Sequence, residues 1–194
     1  MRLCLYGGSF NPVHLGHVEV AQRAIRQLRL DLLFWIPAGD PPHKRRKNLA
    51  PACDRIHMLE LATAGLERMK VSEVETLRGG PSYTVDTLEA FRSLHPGATI
   101  FFLVGSDSLL HLPQWHDSRR LFKFPLVAAP RPGFNLRQVE PELRAHVRIL
   151  KGPQSPAASS DIRAKLAARG GRAGALAPAV RAYIRLHRLY RPVP

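Results

Sequence analysis

Apolar positions at the start of the chain change period twice within 38 residues. A short apolar run ending at Tyr6 leads into a glycine pair, and its length and shape predict a strand. From Leu15 onward the apolar positions Val18, Ala21, Ala24, Ile25 and Leu28 recur at helical spacing. Residues 31–37, Asp-Leu-Leu-Phe-Trp-Ile-Pro, are then nearly continuously apolar, as in a parallel strand buried on both faces. Strand, helix and strand make a βαβ unit.

The same alternation continues. A polar, proline-interrupted loop over residues 38–50 precedes a helix over 51–65 and a strand over 69–75. Ser82 or Thr84 is placed to cap a helix reaching Leu94, which His95-Pro96-Gly97 ends. Residues 99–104 are the clearest buried strand, running into a second strand-to-helix turn at Gly105-Ser-Asp-Ser. A strand over 125–129, a helix over 136–145 and a strand over 147–150 follow. Ser159 and Ser160 stand where a helix N-cap is expected, and Pro178 opens a last helix running to Tyr190. There is no internal repeat and no long linker. The pattern predicts one α/β domain over residues 1–194, a doubly wound and mainly parallel sheet in 1–156 with a helical C-terminal extension in 157–194.

Candidate chemistry concentrates in residues 5–17, Leu-Tyr-Gly-Gly-Ser-Phe-Asn-Pro-Val-His-Leu-Gly-His. Gly7 and Gly8 permit positive φ and close approach of a ligand to the main chain. His14 and His17, one helical turn apart, face the same way at a helix start, where free N–H groups and a partial positive charge suit phosphate. Gly16 between them is expected to leave that face bare for an anion. Neither of the two commonest phosphate loops is present after this strand.

The segment does match Gly-x-Phe-Asp/Asn-Pro-x-His-x-Gly-His, in Gly8, Phe10, Asn11, Pro12, His14, Gly16 and His17, and so resembles the nucleotidyltransferase superfamily that carries the His-x-Gly-His motif. Three further stretches, Gly105-x-Asp107 with Leu112 and Trp115, Ser82-Tyr-Thr-Val-Asp-Thr-Leu88 and Ser159-Ser-Asp-Ile-Arg163, resemble bacterial nicotinate mononucleotide adenylyltransferase over residues 3–163. The resemblance implies a Rossmann-like sheet. The activity it implies is adenylyl transfer from ATP to nicotinate mononucleotide, with magnesium, giving nicotinic acid adenine dinucleotide and pyrophosphate.

Carried over by residue, it implies that His14 and His17 hold the ATP phosphates, that Gly7, Gly8, Ser9 and Phe10 line the nucleotide, and that Gly105 and Asp107 contact a ribose. Ser159, Ser160 and Arg163 would hold phosphates from the other side. Asp40, Lys44, Thr84, Trp115 and His116 fall to the mononucleotide: Lys44, in Pro-Pro-His-Lys, near its phosphate, Thr84 and Trp115 framing the ring, and the main chain near Thr84 and His116 by the ring carboxylate. The family's usual Ile-Ser-Ser-Thr-x-Ile-Arg reads Ala157-Ala158-Ser159-Ser160-Asp161-Ile162-Arg163 here, so one hydroxyl is lost. No residue is assigned to the metal. The attacking group in this reaction is already a phosphate anion, so the site needs positioning and charge stabilisation rather than a base. His14, His17 and Arg163 are therefore read as donors, with no covalent intermediate.

Composition narrows the picture further. Hydrophobic content of 45% indicates a globular chain, and the longest apolar run is far too short to cross a bilayer. Cys4 and Cys53 form neither a metal spacing nor a disulfide framework, which together with the lack of a signal-like start points to a cytoplasmic protein. The net charge is +14, and residues 151–194 hold nine lysines and arginines against the single acid Asp161. Such a chain draws in polyphosphates by steering. With few aromatics in that tail and no RNA-binding motif, no stable nucleic acid partner is expected. Two other readings stay open at this point: a sister nucleotidyltransferase acting on phosphopantetheine or a phospho-alcohol, and a non-catalytic basic RNA-binding protein on a nucleotide fold. Self-association is also open.

Overall fold

A computed structural model describes residues 1–40, 49–168 and 174–191. Strand β1 (Arg2–Gly8) lies at the middle of a six-stranded sheet with α1 (Leu15–Leu28) and β2 (Leu32–Pro37) following it. Then come α2 (Ala52–Thr63), β3 (Met69–Val71), α3 (Thr84–Leu94) and β4 (Thr99–Gly105). Two single 3₁₀ turns lead to α4 (Ser118–Leu121), β5 (Leu126–Ala129), α5 (Pro141–His146) and β6 (Val147–Ile149). Helices α6 (Ser159–Ala167) and α7 (Pro178–Leu186) end the chain.

The strand order is β3-β2-β1-β4-β5-β6, and every pairing among the described residues is parallel. The sheet is built outward from β1, first to β2 and β3 and then, after the chain crosses back, to β4, β5 and β6. That reversal opens a crevice between the carboxyl ends of β1 and β4, the place where open α/β sheets bind ligands.

Side chains alternate across the sheet as a strand requires. Cys4 and Tyr6 point to a core shared with Ala21, Ala24 and Leu28 of α1, Met58 and Leu59 of α2, and Val180 and Ile184 of α7. Leu3 and Leu5 point to the opposite core, built with Val85, Leu88 and Phe91 of α3. Helices on both faces make the sheet doubly wound, in agreement with the sequence pattern.

Several boundaries differ from expectation. The helix expected over 136–145 is a 3₁₀ turn (Leu136–Gln138) followed by α5, because Pro141 starts a new helix at its own first turn. Strand β3 stops at Val71, where Ser72 N–H still donates to Trp35 O at 2.9 Å before the chain turns away. Helix α7 ends at Leu186 rather than Tyr190, since Arg188 and Tyr190 take left-handed φ of 52° and 64° and fold the chain back. Neither Ser82 nor Thr84 caps α3, whose N-cap is Tyr83, and the N-cap of α6 is Ala158 rather than a serine.

Candidate active site

The turn between β1 and α1 is fixed from many sides. Gly7 and Gly8 are the last residues of β1 and do not adopt positive φ; the left-handed residue is Phe10, at 44°. Both glycines are needed for space, since a Cβ on Gly7 would lie 3.1 Å from the Phe102 ring and one on Gly8 2.9 Å from Phe10. The Phe10 ring is buried against Tyr6, Trp35 and His17, with centroids 5.4, 5.3 and 5.2 Å away. Only its main chain is left to face a ligand.

His14 is the N-cap of α1, and its ring stacks on that of His17, centroids 3.7 Å apart. His14 N–H donates to His17 Nδ1 at 3.3 Å. Neutral His17 therefore carries its proton on Nε2, which makes that atom the donor. Both ring nitrogens of His14 are buried and, among the described residues, have no hydrogen-bond partner. Burial, and then the charge of Arg131, lowers the His14 pKa to about 4, so the ring is neutral near pH 7.

The helix start is less open than its sequence suggests. Leu15 N–H donates to Ala175 O at 2.8 Å, and the amides of His17 and Val18 turn back to His14 O. An anion at this helix start would meet imidazoles more than free amides. Nor is Gly16 bare: a Cβ there would run into the Ser155 side chain, 2.8 Å from its Cβ, so the glycine makes room for the 151–158 segment rather than for a ligand.

Two cavities flank the crevice. One, of about 370 Å³, is lined by Gly7, Gly8, Ser9 and Phe10, by His17, Gly105 and Asp107, and by Ser159, Ser160 and Arg163. These are the residues expected to hold ATP, His14 excepted. His14 lines a narrow cleft just beneath, beside Gly16, His17, Gly105 and Arg131. Ser159 Oγ donates to Pro12 O at 3.0 Å and Arg163 Nη1 to Asn11 O at 2.7 Å, so α6 is tied directly to the turn.

The other cavity, of about 500 Å³, is lined by Thr84 and Trp115 with Ile36, Ala38, Phe102 and Val104 and is mostly apolar. Trp115 stands edge-on to Phe102, 6.2 Å between centroids. Asp40 lines neither cavity; it backs the wall residue Ser82, its amide donating to Ser82 Oγ at 3.2 Å while its carbonyl takes Ser82 N–H at 3.0 Å. His116 does not line this cavity; its half-exposed ring stacks on Tyr83 at 4.1 Å. Lys44 lies outside the described residues. Gly7, Gly8, Ser9, Asp107 and Ser108 line both cavities and form the rim where their contents would meet.

Two residues belong to this site that motif reading missed. Arg131, just past β5, lines the first cavity, and its Nε lies 3.3 Å from Asp107 Oδ1. Its own N–H donates to the buried Ser106 Oγ at 2.9 Å. The strand-end rule that singled out Asp107 would have found it. Glu75 lines the second cavity, 7% exposed, accepting from Thr87 Oγ1 at 2.9 Å. Burial pushes its carboxyl pKa up, opposed by the Thr87 hydroxyl and the Gly39 amide. It is an acid in the wall of the second cavity, whereas Asp117 is turned to Arg120, 3.2 Å away.

The cytidylyltransferase-like family profile matches residues 5–165. Two curated relatives described as probable nicotinate-nucleotide adenylyltransferases are 38% identical over 97% of this chain and 94% of theirs (Synechococcus sp. strain JA-3-3Ab) and 39% identical over 97% and 98% (Neisseria meningitidis serogroup C). The chain belongs to the cytidylyltransferase-like family, among the nicotinate-nucleotide adenylyltransferases. A Plasmodium falciparum nicotinic acid mononucleotide adenylyltransferase solved with NaAD has the same fold, with a TM-score of 0.83 at 19% identity over 97% of both chains. Another structure of the Plasmodium protein, with APC, gives a TM-score of 0.80 over 97% and 96%. Among the described residues of this family member, no helix is long and apolar enough to cross a membrane.

Proposed function

We propose that the protein transfers the adenylyl group of ATP to nicotinate mononucleotide, releasing pyrophosphate, as a step of NAD biosynthesis. The observation that carries this reading is the shared rim: one cavity bounded by basic and hydroxyl groups and one apolar, tryptophan-walled slot meet over Gly7, Gly8, Ser9, Asp107 and Ser108. Adenylyl transfer needs two anions brought together at one phosphorus atom. The relatives' descriptions supply the identity of the acceptor.

In the reaction a phosphate oxygen of the mononucleotide attacks the α-phosphorus of ATP. The new O–P bond forms as the bond to the β-phosphate breaks, and the electron pair leaves with pyrophosphate. No proton has to be removed from the nucleophile. His17 Nε2–H, Arg163 and Arg131 stabilise the charge growing on the α-phosphate and the leaving group, with His14 behind them. Thr84 and Trp115 seat the pyridine ring, and Asp107 takes a ribose hydroxyl.

Magnesium arrives with the triphosphate. Among the described residues no group of three or more His, Cys, Asp or Glu could cage a metal. The magnesium ion would be held chiefly by the substrate phosphates and water. When bound, the ion neutralises phosphate charge. The test is product analysis: with ATP, magnesium and nicotinate mononucleotide, the protein should form the dinucleotide and pyrophosphate in equal amounts. Pyrophosphate without dinucleotide would contradict the proposal.

A further inference from the structure

Between Ser9 and Leu15 the chain has no regular structure, yet it places both imidazoles. Its shape is imposed by groups that reach it from elsewhere. Arg55 of α2 donates to Ser9 O at 3.1 Å and to Ala50 O at 3.0 Å. Ala50 N–H in turn donates to Asn11 Oδ1 at 3.0 Å. From the other end of the chain, Tyr190 O–H donates to the same Asn11 Oδ1 at 2.8 Å, across 179 residues of sequence. Asn11 is itself only 5% exposed.

The C-terminal segment is built to deliver that hydroxyl. Helix α7 is pinned to α2 by Tyr183 O–H donating to Asp54 Oδ1 at 2.7 Å. After α7 the left-handed residues Arg188 and Tyr190 turn the chain back toward the β1–α1 turn, with Leu189 N–H bonded to Ile184 O at 3.0 Å. The segment just before α7 supplies Ala175 O, which accepts Leu15 N–H. The extension therefore grips the turn at both ends, at Asn11 and at Leu15. Tyr190 lines neither cavity, so it acts through Asn11 and not on a ligand.

We infer that Tyr190 is a positioning residue for adenylyl transfer, its hydroxyl holding the Asn11 side chain so that the following turn presents His14 and His17 to the ATP phosphates. The inference rests on the role proposed above for those histidines. Sites held in place by a second layer of hydrogen bonds lose rate when that layer is loosened, even with every reacting group present.

Tyr190→Phe keeps the ring and removes the hydrogen bond. It should lower kcat by about 3-fold to 10-fold, the scale of one lost hydrogen bond, while KM for nicotinate mononucleotide stays within about twofold because that cavity is untouched. A purely structural role would lower the unfolding midpoint and leave kcat per folded molecule unchanged, and that result overturns the inference. Asn11→Ala provides the second arm. If Tyr190 works through Asn11, adding Tyr190→Phe to Asn11→Ala should cost nothing further; an undiminished extra loss also overturns it. His17→Ala, assayed alongside, separates the two levels. Near-normal turnover there removes the reading beneath the inference, whereas a large loss there with a normal Tyr190→Phe removes the inference alone.

Discussion

The His14 and His17 rings lie face to face, 23° from parallel and 3.7 Å between centroids. Two imidazolium ions at that distance would repel strongly, so in the ligand-free protein at least one ring is neutral. His14, 3% exposed and with its pKa lowered to about 4 by burial, is neutral near pH 7.

This has a consequence for stability. The folded-state pKa of His14 lies below the ordinary 6.5, so as pH falls the unfolded chain takes up the proton first. The stability tied to the neutral ring is fully present above about pH 6.5 and declines as pH falls toward 4, by at most about 3 kcal/mol at 1.36 kcal/mol per pKa unit. Comparing wild type with His14→Gln removes the opposite effect of Glu75, whose raised pKa is common to both. Unfolding midpoints between pH 7.5 and 4.5 should fall more steeply for wild type. Parallel curves would mean that His14 is not a buried neutral base.

His17→Ala should fold and lose turnover. The ring lines the first cavity, proposed above to hold the phosphates, and removal of one such donor costs on the order of 100-fold to 1000-fold in kcat. Steady-state kinetics on the purified variant, with circular dichroism to verify folding, checks this.

Gly16→Ala should destabilise. The added methyl group meets Ser155, and overpacking of this kind costs about 1–3 kcal/mol. Ser155→Gly in the same chain should recover most of the loss in urea unfolding. A neutral Gly16→Ala would mean that the 151–158 segment does not press on the helix start.

What could be read from sequence was local. Residues 99–104 lie in the strand they suggest because the run is apolar on both faces, and the β1–α1 turn and Gly105-x-Asp107 stand out because each is a strand end continuous with its loop. What could not be read depends on contacts between distant segments. Arg131 reaches Asp107 only because β5 pairs with β4, Glu75 enters the second cavity only once Thr87 of α3 is docked, and Tyr190 meets Asn11 only after α7 has packed on α2. The position of Gly16 shows the same limit: spacing marked it as special, but its neighbour Ser155 lies 139 positions away.

Arg131→Ala should raise KM for ATP and leave the acceptor KM unchanged. Arg131 lines the first cavity and not the second. A hydrogen bond to a charged group contributes roughly 1.5–3 kcal/mol, so the increase should be about 10-fold or more. Equal increases for both substrates would place Arg131 at the rim instead.

The most direct test of the central claim is acceptor choice, measured as kcat/KM at saturating ATP and magnesium with nicotinate mononucleotide, nicotinamide mononucleotide and phosphopantetheine. The nicotinate ring carries a carboxylate where nicotinamide has a neutral amide, and the resemblance implies main-chain N–H groups near Thr84, at the start of α3, beside that carboxylate. One or two such hydrogen bonds give on the order of 10-fold to 1000-fold preference. An amide N–H₂ facing the same donors would leave them unpaired, raising the ratio. The expected result is highest efficiency with nicotinate mononucleotide, lower by that factor with the amide, and no turnover with phosphopantetheine. Equal efficiency with the two pyridine nucleotides, or a preference for phosphopantetheine, would contradict the assignment of the slot walled by Thr84 and Trp115.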